Sequence, residues 1–220
     1  MDENYSVSKK NKVRQLCDYA KYDRATVHRI LGAGLVAQVA FIEDGSPVVV
    51  PMIYGIDGET IYLHGARKAR VIRLLMQNQE ACINVTLVDG LVLARSAFNS
   101  SMRYRSVTIF GSPRLVNSAD AKLNAMRIIS EHSMPGRWDE LRAPLDNEIK
   151  MTGVIALDIE RASVKESTSM PDDEDDDYQI PVWAGVLPLE STFGSLIDDE
   201  RLIDGVEPSS AVLNLQGKNV

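Results

Sequence analysis

PVVVPMIYGIDGETIYLHGARKARVIRLL, residues 47–75, changes its period twice. Pro47–Ile53 and Thr60–His64 are rich in β-formers, and Asp57-Gly58 supplies a turn between them. From Arg67 to Gln77 the spacing becomes helical, with Val71, Leu74 and Leu75 on one face and Arg70 and Arg73 off it. At the junction, Tyr62-Leu63-His64-Gly65-Ala66-Arg67-Lys68, a strand ends in Gly and two adjacent cations open the helix. Unpaired N–H groups and the positive end of the dipole sit at that terminus, so cations disfavour the helix itself but suit an anion. Gly65 would let the anion approach closely. A solvated surface pair is the other reading of the same two residues.

Working outward, Leu35–Ile42 is β-prone, Glu43-Asp44-Gly45-Ser46 turns the chain, and the strand at Pro47 completes a hairpin. Upstream, Asp23 can cap a short helix carrying Ala25, Val27, Ile30 and Leu31, stopped by Gly32 and Gly34. Downstream, β-like runs Ala81–Val88 and Leu91–Ser96 flank Asp89-Gly90. A long strand follows from Tyr104 to Val116, bent at Gly111-Ser112-Pro113. Ser118 or Asp120 starts a helix with Ala121, Ala125, Ile128 and Ile129 on one face, and Pro135-Gly136 ends it. Thr152–Val164 alternates well enough for a closing strand. These elements predict a mainly β (α+β) chain, a small antiparallel barrel with peripheral helices. The expected division is an N-terminal arm over 1–22, a domain over 23–189 and a tail over 190–220. The acidic run 172–177 self-repels and reads as a solvated loop; it lacks the Gly and spaced Glu of an EF-hand. Apolar Ile180–Leu189 must dock somewhere.

The formal charge of −7 and pI near 5.0 argue against a nucleic-acid partner, which needs a basic face. Cys17 and Cys82 have no Cys or His at ligand spacing, so neither a disulfide scaffold nor a metal site is indicated. The polar start and the lack of a membrane-length apolar run read as a cytoplasmic protein without a membrane partner.

The stretch HGARKARVI resembles the Gly-X-Arg-Lys-Ala element of the pyridoxamine-phosphate-oxidase-like family, in which Arg and Lys bind the phosphate of FMN. YDRATVHRIL, PVVVPMIYGIDGETIYLHGA, MRYRSVTIFGSPRLV and VWAGVLPL resemble, in order, further elements of its flavin-nucleotide-binding, nitroimidazole-resistance-like branch. Together they span about residues 22–189. The resemblance implies a six-stranded antiparallel FMN-binding split β-barrel, working as a homodimer with the flavin at the subunit interface and a small-molecule substrate. FMN is the implied cofactor, with FAD possible.

Carried onto this chain, the resemblance places main-chain groups of Val50, Pro51, Met52 and Ile53 along the isoalloxazine edge, and Arg67 and Lys68, after Gly65, on the phosphate. An extended strand suits that edge because it presents N–H and C=O groups in a row. The same residues also serve as an ordinary barrel strand. His64 could hydrogen-bond the flavin or its phosphate, donate a proton, or ligate haem as some split-barrel relatives do; otherwise it is a plain hydrogen-bonding residue. Arg105 and Ser106 belong to the anion site by resemblance, though alternation turns them to opposite faces. Trp183 could cover the flavin or pack across a subunit interface. Trp138 could line a substrate pocket or anchor its loop.

Two departures weaken a vitamin B6 assignment. Val48, Val49 and Val50 stand where true pyridoxamine phosphate oxidases place a phosphate-holding Arg, and VWAGVLPL with an acidic tail replaces their Arg- and His-containing C-terminal segment. The reading is therefore a flavin-dependent oxidoreductase acting on a small organic acceptor, with catalytic residues unassigned. The alternative is a non-catalytic flavin- or haem-binding module.

Overall fold

A computed structural model describes residues 3–219. In chain order the elements are β1 (Ala20–Lys21), α1 (Arg24–Ala33), β2 (Val36–Glu43), β3 (Ser46–Asp57), β4 (Thr60–Ala66), α2 (Arg70–Gln77), β5 (Ala81–Leu93), β6 (Ser101–Gly111), β7 (Pro113–Leu115), α3 (Ala119–Ser133), α4 (Asp146–Met151), β8 (Thr152–Asp158), β9 (Arg161–Ser167), β10 (Gly185–Pro188) and α5 (Ser210–Leu213). Ten strands among the described residues replace the six expected. The chain forms two compact units, each assembled from three separate segments: 1–34, 84–110 and 160–190 in the first, 35–83, 111–159 and 191–220 in the second.

The second unit is an antiparallel sheet ordered β2-β3-β4-β8-β7. Its first hairpin turns at Asp44 and Gly45, whose φ angles of 49° and 78° suit the twist of the flanking strands. Ala37, Val39 and Phe41 of β2 are buried with Ile72, Leu74 and Leu75 of α2. The inward residues of α2 are Ile72, Leu74 and Leu75, while Val71, expected inward, is half-buried, and the helix begins three residues later than the spacing suggested. Its Ile72 side chain keys into a cross-strand glycine pair, Gly65 of β4 and Gly153 of β8. A Cβ on Gly153 would meet Ile72 Cγ2 at 2.7 Å and Arg67 Cα at 3.2 Å, so the absent side chain admits both α2 and the turn before it.

The longest helix, α3, is capped by Ser118, whose hydroxyl accepts from the Ala121 N–H at 3.2 Å. Ala125 packs with Val116, Val154 and Ala156, joined by half-buried Tyr62 and Met126. The inward set is Lys122, Ala125 and Ile129. Ala121, expected inward, is exposed, and a lysine occupies the buried position beside it. Thr192 bridges to Asn219, and Ser209 Oγ donates to Glu140 Oε2 at 2.7 Å, which ties the tail down within this unit.

The first unit is built on the antiparallel order β1-β9-β6-β5, with β10 on the far end of β5. Asp23 caps α1 by accepting from the Thr26 N–H at 2.8 Å, as its sequence required. The polar lead-in is packed rather than loose: Tyr5 is buried, and buried Asn11 donates to the Ala162 carbonyl at 2.9 Å.

Two strand expectations need correction. Ala81–Val88 and Leu91–Ser96, expected as two β-like runs either side of Asp89-Gly90, belong to one strand, β5, which ends at Leu93. Gly90 is demanded by the close approach of β10, since a Cβ there would lie 2.7 Å from the Leu187 carbonyl oxygen. Thr152–Val164 is two strands, β8 and β9, divided between the units. The bend at Gly111-Ser112-Pro113 is real, and it passes the chain from a pairing with β9 to one with β8. The acidic run is also not all solvated. Asp173 is buried, accepting from the Arg95 N–H at 2.9 Å and pairing with its guanidinium at 3.0 Å.

Gly55 of β3 is the tightest contact of α3, because a Cβ there would lie 2.7 Å from both Ile129 Cα and Ile129 N. Backbone cannot yield as a side-chain tip can. Gly55→Ala is expected to lower stability by about 1–3 kcal/mol, the usual range for overpacking, measured by urea denaturation.

Candidate functional site

The second unit brings eight of the sequence candidates onto two neighbouring strands and the turn after them. Along β3, Ser46–Ile53 pairs with β2, and Tyr54–Asp57 alone pairs with β4. Beyond the Tyr54–Leu63 step, β4 leaves β3 and continues with β8 from His64 to Ala66. The sheet splits there. Val50, Pro51, Met52 and Ile53 therefore have an edge away from β2 with no strand partner in this unit, and an unpaired edge is a ready ligand for a group with its own donors and acceptors.

One face of this region is apolar and open. Alternation puts Val49, Pro51 and Ile53 on the same side, opposite Ala40, Gln38 and Val36 of β2. Val36, Ile42, Val49 and Ile53 are 45%, 52%, 58% and 45% exposed. His64 shares this face, because it alternates with Tyr62, which sits opposite Gly55, and Gly55 alternates with Ile53. Its Nδ1 is buried and has no hydrogen-bond partner. Burial lowers its pKa, so at neutral pH the ring is neutral and keeps a free lone pair.

Arg67 and Lys68 lie in a turn before α2, not in its first helical turn as the spacing suggested, since Ala69 is the N-cap. The turn is closed by the Ala69 N–H donating to the Ala66 carbonyl at 2.8 Å, and held by the Arg67 N–H donating to the Met151 carbonyl at 2.8 Å. Both side chains are exposed, and neither has an ion-pair or hydrogen-bond partner among the described residues. Neighbouring Arg70, by contrast, is forked onto Glu43. The open side of Gly65 is filled by Ile72, with Cγ1 at 3.3 Å from where a Cβ would stand.

The remaining candidates lie in the first unit. Arg105 grips Asp89 through Nε at 2.9 Å and Nη2 at 2.6 Å, and this pairing raises its already high pKa. Ser106 is bonded to Asn84 Nδ2 at 3.1 Å and Thr86 Oγ1 at 2.8 Å, on the opposite face as alternation requires. Trp183 is 67% exposed, its indole lying over Gly185. Beside it Leu91 and Leu187 face each other across the β5–β10 ladder, 49% and 56% exposed. The apolar segment after Ile180 thus docks through its backbone while Val182, Trp183, Leu187 and Leu189 stay open.

Trp138 borders a cavity of about 390 Å³ with Met126, Leu141, Arg142, Ala143, Pro144 and Glu148. Among the described residues no group of three His, Cys, Asp or Glu could hold a metal ion, and no helix is long and apolar enough to cross a membrane.

An antiparallel chain that divides between two strand systems, with few helices, has the architecture of a flavin-type split barrel. A sequence profile described as pyridoxamine 5'-phosphate oxidase matches residues 23–166, and the chain belongs to that family. The flavocytochrome Anf3 from Azotobacter vinelandii is 34% identical, with 96% of this chain and 98% of that one covered and a TM-score of 0.90. An FAD and heme binding protein from Mycobacterium smegmatis is also 34% identical, covering 90% and 98% with a TM-score of 0.87. A structure described as a 5-nitroimidazole antibiotic resistance protein, from Bacteroides thetaiotaomicron, shares the fold at 24% identity over 66% of this chain and 85% of that one, with a TM-score of 0.58. No curated protein matches the chain.

Because Arg67 and Lys68 touch no partner, Arg67→Ala and Lys68→Ala are expected to leave thermal stability of the ligand-free protein within about 0.5 kcal/mol. Arg105→Ala, which strands Asp89, is expected to cost about 1 kcal/mol in the same melting experiment.

Proposed function

We propose that this chain binds a flavin nucleotide and works as a flavin-dependent oxidoreductase on a small organic acceptor. The observation that carries the reading is the conjunction, in one unit, of the open β3 edge over Val50–Ile53 with the unpaired cations Arg67 and Lys68. A flat ring with donors and acceptors along one side suits such an edge, and a phosphate suits a guanidinium fork beside a mobile ammonium. FMN carries both features; FAD carries them too, and a relative at 34% identity is described as binding FAD.

When bound, a flavin supplies electron and hydride transfer, accepting from a reduced nicotinamide or substrate and passing to an acceptor such as a nitro compound or quinone. The chain's own part is then to hold the phosphate with Arg67 and Lys68, read the ring edge with Val50–Ile53, and exclude water with apolar surface. Gly65 serves the site by admitting α2 beneath the turn. Arg105 and Ser106 are already held by partners within their own unit, while Trp183 has its indole exposed to cover a ring or a neighbouring subunit. Two open apolar surfaces, around Val36, Val49 and Ile53 and around Trp183, Leu187 and Leu91, support a homodimer that shelters the flavin.

Haem is a second ligand for which the chain has a specific feature. His64, with a buried and unpartnered Nδ1 and a pKa lowered by burial, would hold the haem iron through a neutral imidazole nitrogen, and the apolar β2–β3 face beside it would receive the ring. The two relatives at 34% identity are described as a flavocytochrome and as an FAD and heme binding protein.

Mass spectrometry of the chromophore released from native protein is expected to find FMN or FAD. The double substitution Arg67→Ala with Lys68→Ala should weaken FMN by about 100-fold or more while leaving riboflavin little changed, since each charge-assisted bond is worth about 1.5–3 kcal/mol. Equal weakening of both ligands would show the cations act elsewhere. For haem, His64→Ala should abolish the Soret shift that follows addition of hemin to the wild-type chain, with its flavin absorbance retained. An unchanged Soret band rules out His64 as the iron ligand.

A further inference from the structure

Lys122 is the one lysine in the described core, 7% exposed, and it has no carboxylate partner among the described residues. Its ammonium donates instead to two main-chain carbonyls, Thr152 O at 2.8 Å and Ile149 O at 3.3 Å. Those carbonyls belong to the last turn of α4 and the first residue of β8, where a cation complements the negative end of the helix. Two of its three N–H donors are thereby used. A buried ammonium without a carboxylate is costly, so the arrangement calls for a reason beyond packing.

The segment that Lys122 pins is the one that holds the anion turn. Met151, between the two bonded carbonyls, accepts the Arg67 N–H at 2.8 Å. Gly153, one residue beyond, lies against Arg67 Cα. Arg67 is close enough that its charge, after burial, is the second cause lowering the pKa of Lys122. Three cations, Arg67, Lys68 and Lys122, therefore gather around one backbone turn, and none is matched by an acid among the described residues.

We infer that Lys122 is a positioning residue of the phosphate site: by clamping the carbonyls on either side of Met151 it fixes the Arg67 backbone, and its charge adds to the field that selects a phosphorylated ligand. This rests on the flavin-nucleotide reading above. The sequence pattern hid it, because Lys122 falls between two alanines of an apolar helix face and lies 54 residues from Lys68 by subtraction of their numbers.

The test is the ratio of FMN to riboflavin affinity in the full-length protein, by flavin fluorescence titration. Lys122→Met should weaken FMN by about 10-fold and riboflavin by less than about 2-fold, and Lys122→Arg should recover most of the ratio. Combined with Arg67→Ala, Lys122→Met should add little to the loss from Arg67→Ala alone, because the two act as a unit. Should Lys122→Met not fold, Lys122→Gln keeps two N–H donors without the charge and is read by the same ratio. A preference for FMN that survives every Lys122 substitution, or strictly additive losses with Arg67→Ala, overturns the role of Lys122 alone. A wild-type chain that binds FMN no better than riboflavin overturns the phosphate reading and this inference with it.

Discussion

Strand β3 cannot pair along its whole length with both neighbours, and the rest of the site follows from that constraint. Its first part is committed to β2 and its last four paired positions to β4, which pairs on its other edge with β8 along its whole length. An N–H or C=O row without a partner must be met by water, another chain or a ligand, since burial without a bond costs roughly 1–3 kcal/mol per group. The split is held open from both sides: α3 seats its backbone on Gly55, and α2 drives Ile72 into the Gly65–Gly153 pair. Side chains at those three glycines would push the helices off and leave the divergence unsupported.

The charge pattern around the split is selective rather than uniformly basic. Several arginines spend their charge on a neighbour: Arg70 on Glu43, Arg95 on Asp173, Arg105 on Asp89, Arg142 on Glu148. Arg67 and Lys68 do not, and Lys122 is satisfied by carbonyls that leave its charge uncancelled. In a chain of net charge −7 such a pocket of positive potential is local, which favours a single small anion over an extended polyanion.

Much of this was legible because the deciding signals are short-range. Asp23 and Ser118 announced their helices as caps, and the Asp44-Gly45 turn fixed the hairpin. Errors arose where a glycine served a distant element. Gly90 divides two β-like runs in sequence, whereas it sits within one strand and makes room for β10 from nearly a hundred residues away. Thr152–Val164 read as one strand because alternation continues on both sides of the break at Ile159-Glu160, and only tertiary pairing separates β8 from β9. Within the site, Arg67, Lys68 and His64 stood out by type and position. Lys122 did not, since helical periodicity identifies a buried position but gives no hint that carbonyls from another element wait there to receive an ammonium.

His64 on β4 and the two cations of the turn after it, three and four residues further on, make opposite electrostatic demands. Burial favours the neutral imidazole, which preserves a lone pair for a metal or a donor, while the turn needs charge. A protonated His64 would add positive charge near Arg67 inside partly dry surroundings and leave its own Nδ1–H without an acceptor, since that nitrogen has none now. Keeping the ring neutral separates the two proposed roles: an uncharged, apolar-flanked face on β4, and after Ala66 a solvent-facing pair of cations suited to an anion. On the proposed reading, one strand end would present a surface suited to a flat ring and a turn suited to a phosphate without either group shifting the charge state the other requires.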